Sequence, residues 1–313
     1  MSSAVSARIP GPWRWAALIA LLAATAYAAA MAILAPAALS SLPRLFSPTG
    51  ALAAVLCLLS YALRGWRWQR WMHVLGRPLP APQALRIYLS GYAFTATPGN
   101  VGEAARGLLL PGQPLTVSQS LAIYVAERVA DLLGLLVLAL PALWWLLRHV
   151  PLGLASETAL IGAVVGVLLL ALVAAVGWRQ RAVLLRRWTG AAHSLACLRQ
   201  APGSWLALTL LAWCAQGVAV MALCQSQGLD LSWPLAMGGY AAAMVGGALS
   251  FLPAGLGGCE ALLSTWLVAQ GAPLALALAL TVQIRLVTLW LAVAAGALSL
   301  LLNALLSRRS VNA

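Results

Sequence analysis

The sequence predicts an all-α polytopic membrane protein with about six transmembrane helices and two re-entrant helical hairpins in an inverted repeat. Of its 313 residues 63% are hydrophobic and only 8% are charged, whereas a soluble domain carries about a quarter charged residues. The mean hydropathy is +0.92, and two Pro- and Gly-rich stretches interrupt the apolar sequence. We expect a single transmembrane domain over residues 1–313, with repeat one at about 13–147 and repeat two at about 158–302.

Long apolar stretches predict the membrane crossings. They cover residues 13–39, 50–63, 117–147, 158–177, 204–224 and 273–302. The first has no convincing cleavage site, so we expect a retained span and not a signal peptide. The second ends in alternating Arg and Trp residues at 64–71, a pattern typical of a span end at the cytoplasmic interface. The basic segment 179–203 is expected to form a surface helix.

Two shorter segments are predicted to enter the membrane without crossing it. Residues 83–97 and 104–110 flank the sequence TATPGNVGE, and each is shorter than the roughly 20 residues that a crossing needs. The Gly-rich residues 233–252 lead into the second break, FLPAGLGGCE. Seven residues are expected to permit unusual φ angles or close packing at the breaks: Pro98, Gly99, Gly102, Pro253, Gly255, Gly257 and Gly258. Such backbone is tolerated at membrane depth only where protein buries it or where it lines a polar cavity.

The two halves of the chain have related spacings, which predict an internal duplication. Glu103 is followed 25 residues later by Arg128, and Glu260 is followed 25 residues later by Arg285. The flanking sequences align at the same offset of 157 residues. Three predicted crossings separate the hairpins, and an odd number inverts the second repeat relative to the first.

The distribution of arginine predicts the orientation. All 19 basic residues are Arg, and with six crossings both termini lie on one side. Most Arg residues outside the hairpins fall on that side, whereas Arg44 and Arg148 fall opposite. The positive-inside rule therefore predicts cytoplasmic termini in a cell inner membrane. The anionic membrane surface explains the net charge of +13, so nucleic acid is not an expected partner.

Ionisable residues in the predicted membrane segments are the candidate site. Such groups cost about 2.5–3.5 kcal/mol each at the centre of a span, so we expect carboxylates and arginines to pair in one interior polar site. The candidate substrate-binding residues are Asn100, Glu103, Arg106, Glu127, Arg128, Asp131, Glu260 and Arg285. Either these pairs only tie the hairpins to neighbouring spans, or the arginines meet a lipid phosphate, for which a planar guanidinium is suited. Asn100 either coordinates a ligand or caps the second half-helix.

The sequence does not favour an enzyme. It has no cluster of metal ligands, no nucleophile–base spacing and no phosphate-binding loop, and we assign no catalytic residue. The five Cys form no CxxC pattern and the three His have no ligand spacing, so neither a metal nor a cofactor is expected.

Four sequence motifs resemble the transmembrane region of lysylphosphatidylglycerol synthases, also called the flippase-like integral membrane family. They are TPGNVGEAAR (97–106), ERVADL (127–132), PAGLGGCE (253–260), and Arg285 with the following LVTLW. The resemblance covers the chain from the first predicted span to the last. In the full synthases this region is fused to a soluble domain that aminoacylates phosphatidylglycerol. Only residues 303–313 follow the last predicted span here, so synthase activity is not expected.

The resemblance implies a stand-alone lipid flippase or transporter. It would move an anionic, aminoacylated or polyprenyl-phosphate lipid headgroup across the inner membrane through a midplane polar cavity. The expected partner is thus a membrane phospholipid or a lipid carrier. Two alternatives stay open: a non-catalytic membrane subunit or partner of a separate lipid-modifying transferase, and an intramembrane transferase with a carboxylate base. The oligomeric state is not predicted.

Overall fold

The computed structural model describes most of the chain. The described residues are 40–110, 112, 114–149, 190–250 and 252–312, with the isolated positions 22, 25, 27 and 29. Apart from those isolated positions, the predicted crossings at 13–39 and 158–177 lie outside the described residues, as do residues 179–189 of the basic segment.

The regular elements of the described ranges are all helical. The α-helices are α1 (Pro48–Val74), α2 (Ala81–Gly91), α3 (Val117–His149), α4 (Gly190–Arg199), α5 (Pro202–Gln225), α6 (Trp233–Leu249), α7 (Gly258–Ala269), α8 (Leu274–Arg285) and α9 (Leu291–Asn312). The 3₁₀ segments are Leu42–Phe46, Tyr92–Phe94, Pro98–Leu109 and Pro253–Gly255, and a π-helix at Leu286–Trp290 joins α8 to α9.

Four helices in the described ranges are long and apolar enough to cross a membrane. They are Pro48–Val74, Val117–His149, Pro202–Gln225 and the continuous helix Leu274–Leu306. These four correspond to four of the predicted crossings, whereas α6 has 17 residues, fewer than a crossing usually needs. The prediction of an all-helical, multi-span membrane protein is confirmed for the described residues. The count of six crossings and the inverted repeat stay predictions.

Helix α1 is longer than predicted. The Ser47 hydroxyl accepts a hydrogen bond from the Gly50 amide at 3.2 Å, which caps the helix start, and the helix then continues through the Arg/Trp run to Val74. Arg64 is only 8% exposed and Arg67 is 0% exposed. Both side chains therefore lie inside the protein, whereas the position of this run at the membrane interface stays a prediction. Their three-residue spacing puts them on the interior face of a helix, whereas Arg70 is exposed.

The first break has an unusual backbone. After α2, the chain passes through the 3₁₀ turn Tyr92–Phe94. The segment that Pro98 opens is interrupted at Gly99 (φ 60°) and Asn100 (φ 58°). Glycine enters this left-handed region freely and asparagine does so more readily than most residues.

The second break repeats the same local order. Pro253 is followed by two left-handed residues, Ala254 (φ 54°) and Gly255 (φ 65°). Gly257 (φ 84°) then precedes α7. The Cβ of alanine makes this conformation costly, so the surrounding contacts must hold Ala254 in place. Neither Ala254 nor Asn100 was predicted to adopt positive φ.

Two of the predicted break glycines act through close packing. A Cβ added at Gly102 would lie 2.7 Å from the Phe94 Cβ. A Cβ added at Gly258 would lie 3.1 Å from the Ser250 Cβ. Both distances are shorter than ordinary van der Waals contact, so these glycines let the chain fold back closely at each break.

The two breaks contact each other in the interior. Pro98–Leu109 packs against Pro253–Gly255. Around them, α1 packs on α5 and α6 packs on α3, while α9 packs on α2 and on Tyr92–Phe94. Helix α4 lies against α3, where the Ser194 hydroxyl donates to the Ala122 carbonyl at 2.7 Å. This packing puts both breaks at the meeting point of the described spans.

Gly296 of α9 packs closely against α2 and the Tyr92–Phe94 turn, and we predict that Gly296→Ala destabilises the protein. The new Cβ would lie 2.3 Å from the Ala93 amide nitrogen and 2.7 Å from the Tyr92 carbonyl carbon. Backbone must shift to admit it, which costs about 1–3 kcal/mol. Thermal unfolding in detergent should therefore show a lower Tm.

The matched control is Gly203→Ala in the first turn of α5, where an added Cβ would meet no atom within 4 Å. Because alanine has the higher helix propensity, this variant should unfold at or slightly above the wild-type temperature. An unchanged Tm for Gly296→Ala would contradict the close packing of α9 on α2 and the Tyr92–Phe94 turn.

Candidate functional site

A cavity of about 420 Å³ lies between the two breaks. Both breaks contribute the left-handed residues described above to its wall. Helices α1, α3, α5, α6, α8 and α9 and the π-helix also contribute residues. Of the predicted site residues, those that line the cavity are Asn100, Glu103, Arg128, Asp131 and Arg285. The other three, Arg106, Glu127 and Glu260, are buried and pair with charged residues next to the cavity.

Glu103 is the centre of the charges around the first break. Its Oε1 accepts from the Thr95 hydroxyl at 2.9 Å. Its Oε2 lies 3.5 Å from Nη2 of Arg128 and 3.6 Å from Nη2 of Arg106. Arg106 makes its shorter contact to Glu127, with 2.6 Å between Nη2 and Oε2. Glu103 is therefore shared between two arginines, one on the cavity wall and one behind it.

Arg128 makes long contacts to two carboxylates. Besides Glu103, its Nη2 lies 3.3 Å from Oδ2 of Asp131, one turn further along α3. The Arg128 side chain is 34% exposed, whereas that of Glu103 is 2% exposed. Its guanidinium carbon lies 5.3 Å from the Tyr124 ring centroid, within the range of a cation–π contact. Arg128 thus reaches the open side of the cavity without one short, fixed partner.

The second break has a shorter and more buried ion pair. Nε of Arg285 lies 2.7 Å from Oε1 of Glu260, and Nη2 of Arg285 donates to the Ala254 carbonyl at 2.9 Å. Oε2 of Glu260 accepts from the Gly257 amide at 2.7 Å, which caps the start of α7. One arginine therefore fixes both the strained turn and the carboxylate that follows it.

The two breaks share one anchoring feature. In each, the carbonyl of the first left-handed residue accepts a hydrogen bond from the helix that carries the partner arginine. At the first break, the Tyr124 hydroxyl of α3 donates to the Gly99 carbonyl. At the second, Arg285 of α8 donates to the Ala254 carbonyl. Each break is therefore tied to a spanning helix by its backbone as well as by an ion pair.

Arg67 belongs to the site but was not predicted as part of it. Its Nη1 lies 2.8 Å from Oδ1 of Asp131 and donates to the Thr209 hydroxyl at 2.7 Å. It ties α1 to α3 and α5. Helical periodicity would have identified it, because a continuous α1 puts Arg64 and Arg67 on the same buried face as Tyr61.

Arg64, the second arginine missed in the sequence, lines the cavity. Its guanidinium carbon lies 3.9 Å from the centroid of the Trp213 ring. Its Nε and Nη2 are buried and have no hydrogen-bond partner. Among the residues that the structure describes, Arg64 takes part in no ion pair within 4 Å, although it is almost fully buried.

Aromatic side chains complete the polar wall. The Tyr61 hydroxyl donates to the Thr288 carbonyl at 2.7 Å, inside the π-helix. The Tyr240 hydroxyl donates to Oε1 of Gln216 at 3.0 Å. These hydroxyl groups already have protein partners, which leaves the charged groups as the main recognition elements of the cavity.

We refer to the nine ionised side chains of this region as the charged cluster. Its members are Arg64, Arg67, Arg106, Arg128, Arg285, Glu103, Glu127, Asp131 and Glu260. Five arginines and four carboxylates give it a formal charge of +1, and each carboxylate lies within 3.6 Å of an arginine. Within the described ranges, no group of three or more His, Cys, Asp or Glu could hold a metal ion.

Comparison with known proteins agrees with these features. The family model described as "Lysylphosphatidylglycerol synthase TM region" matches residues 12–296, which confirms the resemblance predicted from the motifs. None of the curated proteins compared with the chain matches it. The matched range includes both breaks, all nine members of the charged cluster and three of the described spanning helices. It also includes the fourth, Leu274–Leu306, as far as Gly296. The chain therefore belongs to the lysylphosphatidylglycerol synthase transmembrane-region family of multi-pass membrane proteins.

Proposed function

We propose that this protein moves a lipid with an anionic headgroup across the cell inner membrane through the cavity between the two breaks. The observation that carries the proposal is the cavity itself: it lies among apolar spanning helices, yet charged side chains from the first break and from three of the spans line it. Family membership supports a lipid-related function. The candidate lipids remain anionic, aminoacylated and polyprenyl-phosphate lipids.

The charged cluster lowers the cost of moving a phosphate through hydrocarbon. An isolated ionised group is unstable in an apolar medium, whereas fixed positive charge in a low-dielectric site stabilises an anion strongly. The net charge of +1 in the cluster gives the cavity that preference. Acyl chains can stay in the bilayer while the headgroup occupies the cavity.

Arg128 is the arginine of the predicted set that is best suited to exchange partners with a headgroup. Its contacts of 3.5 and 3.3 Å are longer than usual for a charged hydrogen bond, and its side chain is partly exposed. A phosphate oxygen can compete for this guanidinium while Glu103 keeps its contacts to Arg106 and Thr95. The carboxylates are then not left as unpaired charges when the ligand binds.

The two breaks fit an alternating mechanism. In the proposed inverted repeat, equivalent turns enter the membrane from opposite sides and meet near its midplane. The common order of a proline and two left-handed residues supports this equivalence, as does the Glu–Arg spacing of 25 residues in each half. In this proposal both termini are cytoplasmic. Because the sequence has no phosphate-binding loop for ATP, an ion gradient or removal of the lipid on the far side would set the direction.

We predict that Arg128→Glu reduces lipid translocation at least about tenfold, because a charged hydrogen bond contributes about 1.5–3 kcal/mol. Purified protein in vesicles would be tested with fluorescent anionic, zwitterionic and polyprenyl-phosphate lipids. The matched control is Arg148→Glu, at the exposed end of the same helix, which should transport at the wild-type rate.

Transport by folded Arg128→Glu at the wild-type rate would count against the proposal. If the wild-type protein moved none of the lipids, a role as the partner of a separate transferase would be favoured.

A further prediction concerns the ion pair between Arg106 and Glu127, which does not line the cavity. Arg106 and Glu127 are fully buried behind the wall, so removing one partner leaves an uncompensated charge, at a cost of about 3–5 kcal/mol. Arg106→Gln and Glu127→Gln should each lower the Tm substantially. The double variant should unfold at a higher temperature than the less stable single variant, because no lone charge of this pair remains. Additive losses in the double variant would show that the two side chains are not coupled.

A further inference from the structure

We propose that Arg64 binds the phosphate of the lipid in the cavity, and that the preferred headgroup carries a single phosphodiester with one negative charge. This inference deepens the proposed function and rests on it, since both use the same cavity. It adds to the arginines of the sequence motifs a phosphate-binding residue of α1 that lies outside them.

The pairing of the other arginines supports this assignment. Arg67, Arg106, Arg128 and Arg285 each lie within 3.5 Å of a carboxylate. Arg64 has no such partner in the described part of the chain. It is nevertheless buried, with only 8% of its surface exposed. Leaving a buried charged group unpaired is costly. A residue retained in this state is best explained by a ligand that supplies the missing anion.

The unbonded atoms of Arg64 are suited to a phosphate. Nε and Nη2 have no hydrogen-bond partner and are buried, so a ligand reaches them only when neighbouring side chains move aside. The two nitrogens lie on the same edge of the guanidinium group. Two parallel N–H groups on one edge form the fork that binds two oxygens of a phosphate. Stacking on the Trp213 ring, at 3.9 Å from its centroid, fixes the plane of that fork.

Three other arginines also have unbonded nitrogens, but none is as well suited to this role. Arg128 keeps only Nε without a partner, and its Nη2 already contacts Glu103 and Asp131. Arg67 and Arg106 each keep two nitrogens without partners. Both already have a carboxylate partner at 2.8 Å or less, and neither lines the cavity. A ligand in the cavity therefore meets Arg64 before it meets either of them.

The charge of the cluster indicates the charge of the ligand. A headgroup with one negative charge would neutralise the formal +1 of the charged cluster. A diphosphate would bring at least one further negative charge into a buried site, which is unfavourable without a partner. The cationic end of a zwitterionic headgroup would find every carboxylate of the cluster already paired with arginine. The site therefore fits a monoanionic phosphodiester best.

One side of the cavity is apolar and suits the lipid beyond the phosphate. Leu132, Leu135, Met244 and Val245 line it together with Arg64. The wall continues through Leu249 and Leu252, both of which are exposed on the outside of the protein. Apolar surface running from the charged cluster to the exterior provides a path for the acyl chains. A lipid therefore suits this site better than free phosphate does.

The test is ligand binding by the purified full chain in detergent, measured by calorimetry. The probes are dihexanoyl-phosphatidylglycerol, dihexanoyl-phosphatidylcholine, farnesyl diphosphate and inorganic phosphate. We expect the phosphatidylglycerol to bind most tightly and Arg64→Gln to weaken its binding at least about tenfold. Arg64→Lys should bind with intermediate affinity, because lysine keeps the charge but lacks the fork. The matched control is Arg70→Gln on the exposed face of the same helix, which should bind as the wild type does.

Thermal unfolding supplies a second readout that does not depend on transport. Because Arg64 is unpaired in the described structure, Arg64→Gln should unfold at or above the wild-type Tm without lipid. Added phosphatidylglycerol should raise the Tm of the wild type and of Arg70→Gln, but not that of Arg64→Gln. If Arg64→Gln does not fold, the Arg64→Lys binding measurement decides the question.

Unchanged phosphatidylglycerol affinity in the Arg64 variants would overturn the inference. Equal or tighter binding of the zwitterionic lipid, of farnesyl diphosphate or of inorganic phosphate would overturn it as well. Arg64-dependent binding without translocation in vesicles would reject the proposed transport and leave the phosphate site standing. Translocation that does not require Arg64 would reject the phosphate site alone.

Discussion

Pairing between arginine and carboxylate side chains on different elements is the interaction on which the rest of this structure depends. Ionised groups inside a membrane protein need partners, and here each carboxylate has at least one arginine partner on another segment. Arg67 joins α1 to Asp131 of α3, Arg106 joins the first break to Glu127 of α3, and Arg285 joins α8 to α7. The need to neutralise buried charge therefore also fixes where the breaks sit relative to the spanning helices.

The breaks keep their shape because backbone and side-chain contacts act together. Left-handed backbone at Ala254 is costly for a residue with a Cβ. The hydrogen bond from Arg285 to its carbonyl and the short contact of that arginine to Glu260 hold the turn. At the first break the contacts are longer: the Glu103 carboxylate lies 3.5 Å or more from each of two arginines. The structure thus combines one rigid turn and one more adaptable turn around a single cavity.

The sequence was sufficient for the fold class, for the limits of α3 and α5 within two residues, and for the pairing of Glu103 with Arg128 and of Glu260 with Arg285. These features follow from hydropathy and from repeated spacing. Arg64 and Arg67 were missed because local composition does not distinguish an interfacial Arg/Trp run from an interior helix face, and only the periodicity of a continuous α1 groups them with Tyr61. The partner that identifies Arg67 as interior is Asp131, 64 positions away. The left-handed conformation of Ala254 likewise depends on tertiary contacts that no local pattern records.

The π-helix at Leu286–Trp290 has a consequence for how the two ends of the last long helix are oriented. A π-turn accommodates one residue more than an α-helical turn, and one residue corresponds to about 100° of rotation. The direction in which α9 points Gly296 towards the Tyr92–Phe94 turn is therefore set next to Arg285, the partner of the second break. The Tyr61 hydroxyl, bonded to the Val287 and Thr288 carbonyls, holds that direction from α1. A change of helical phase at this point would rotate α9 about its own axis and separate it from the first break. One local irregularity therefore couples the geometry of the two breaks.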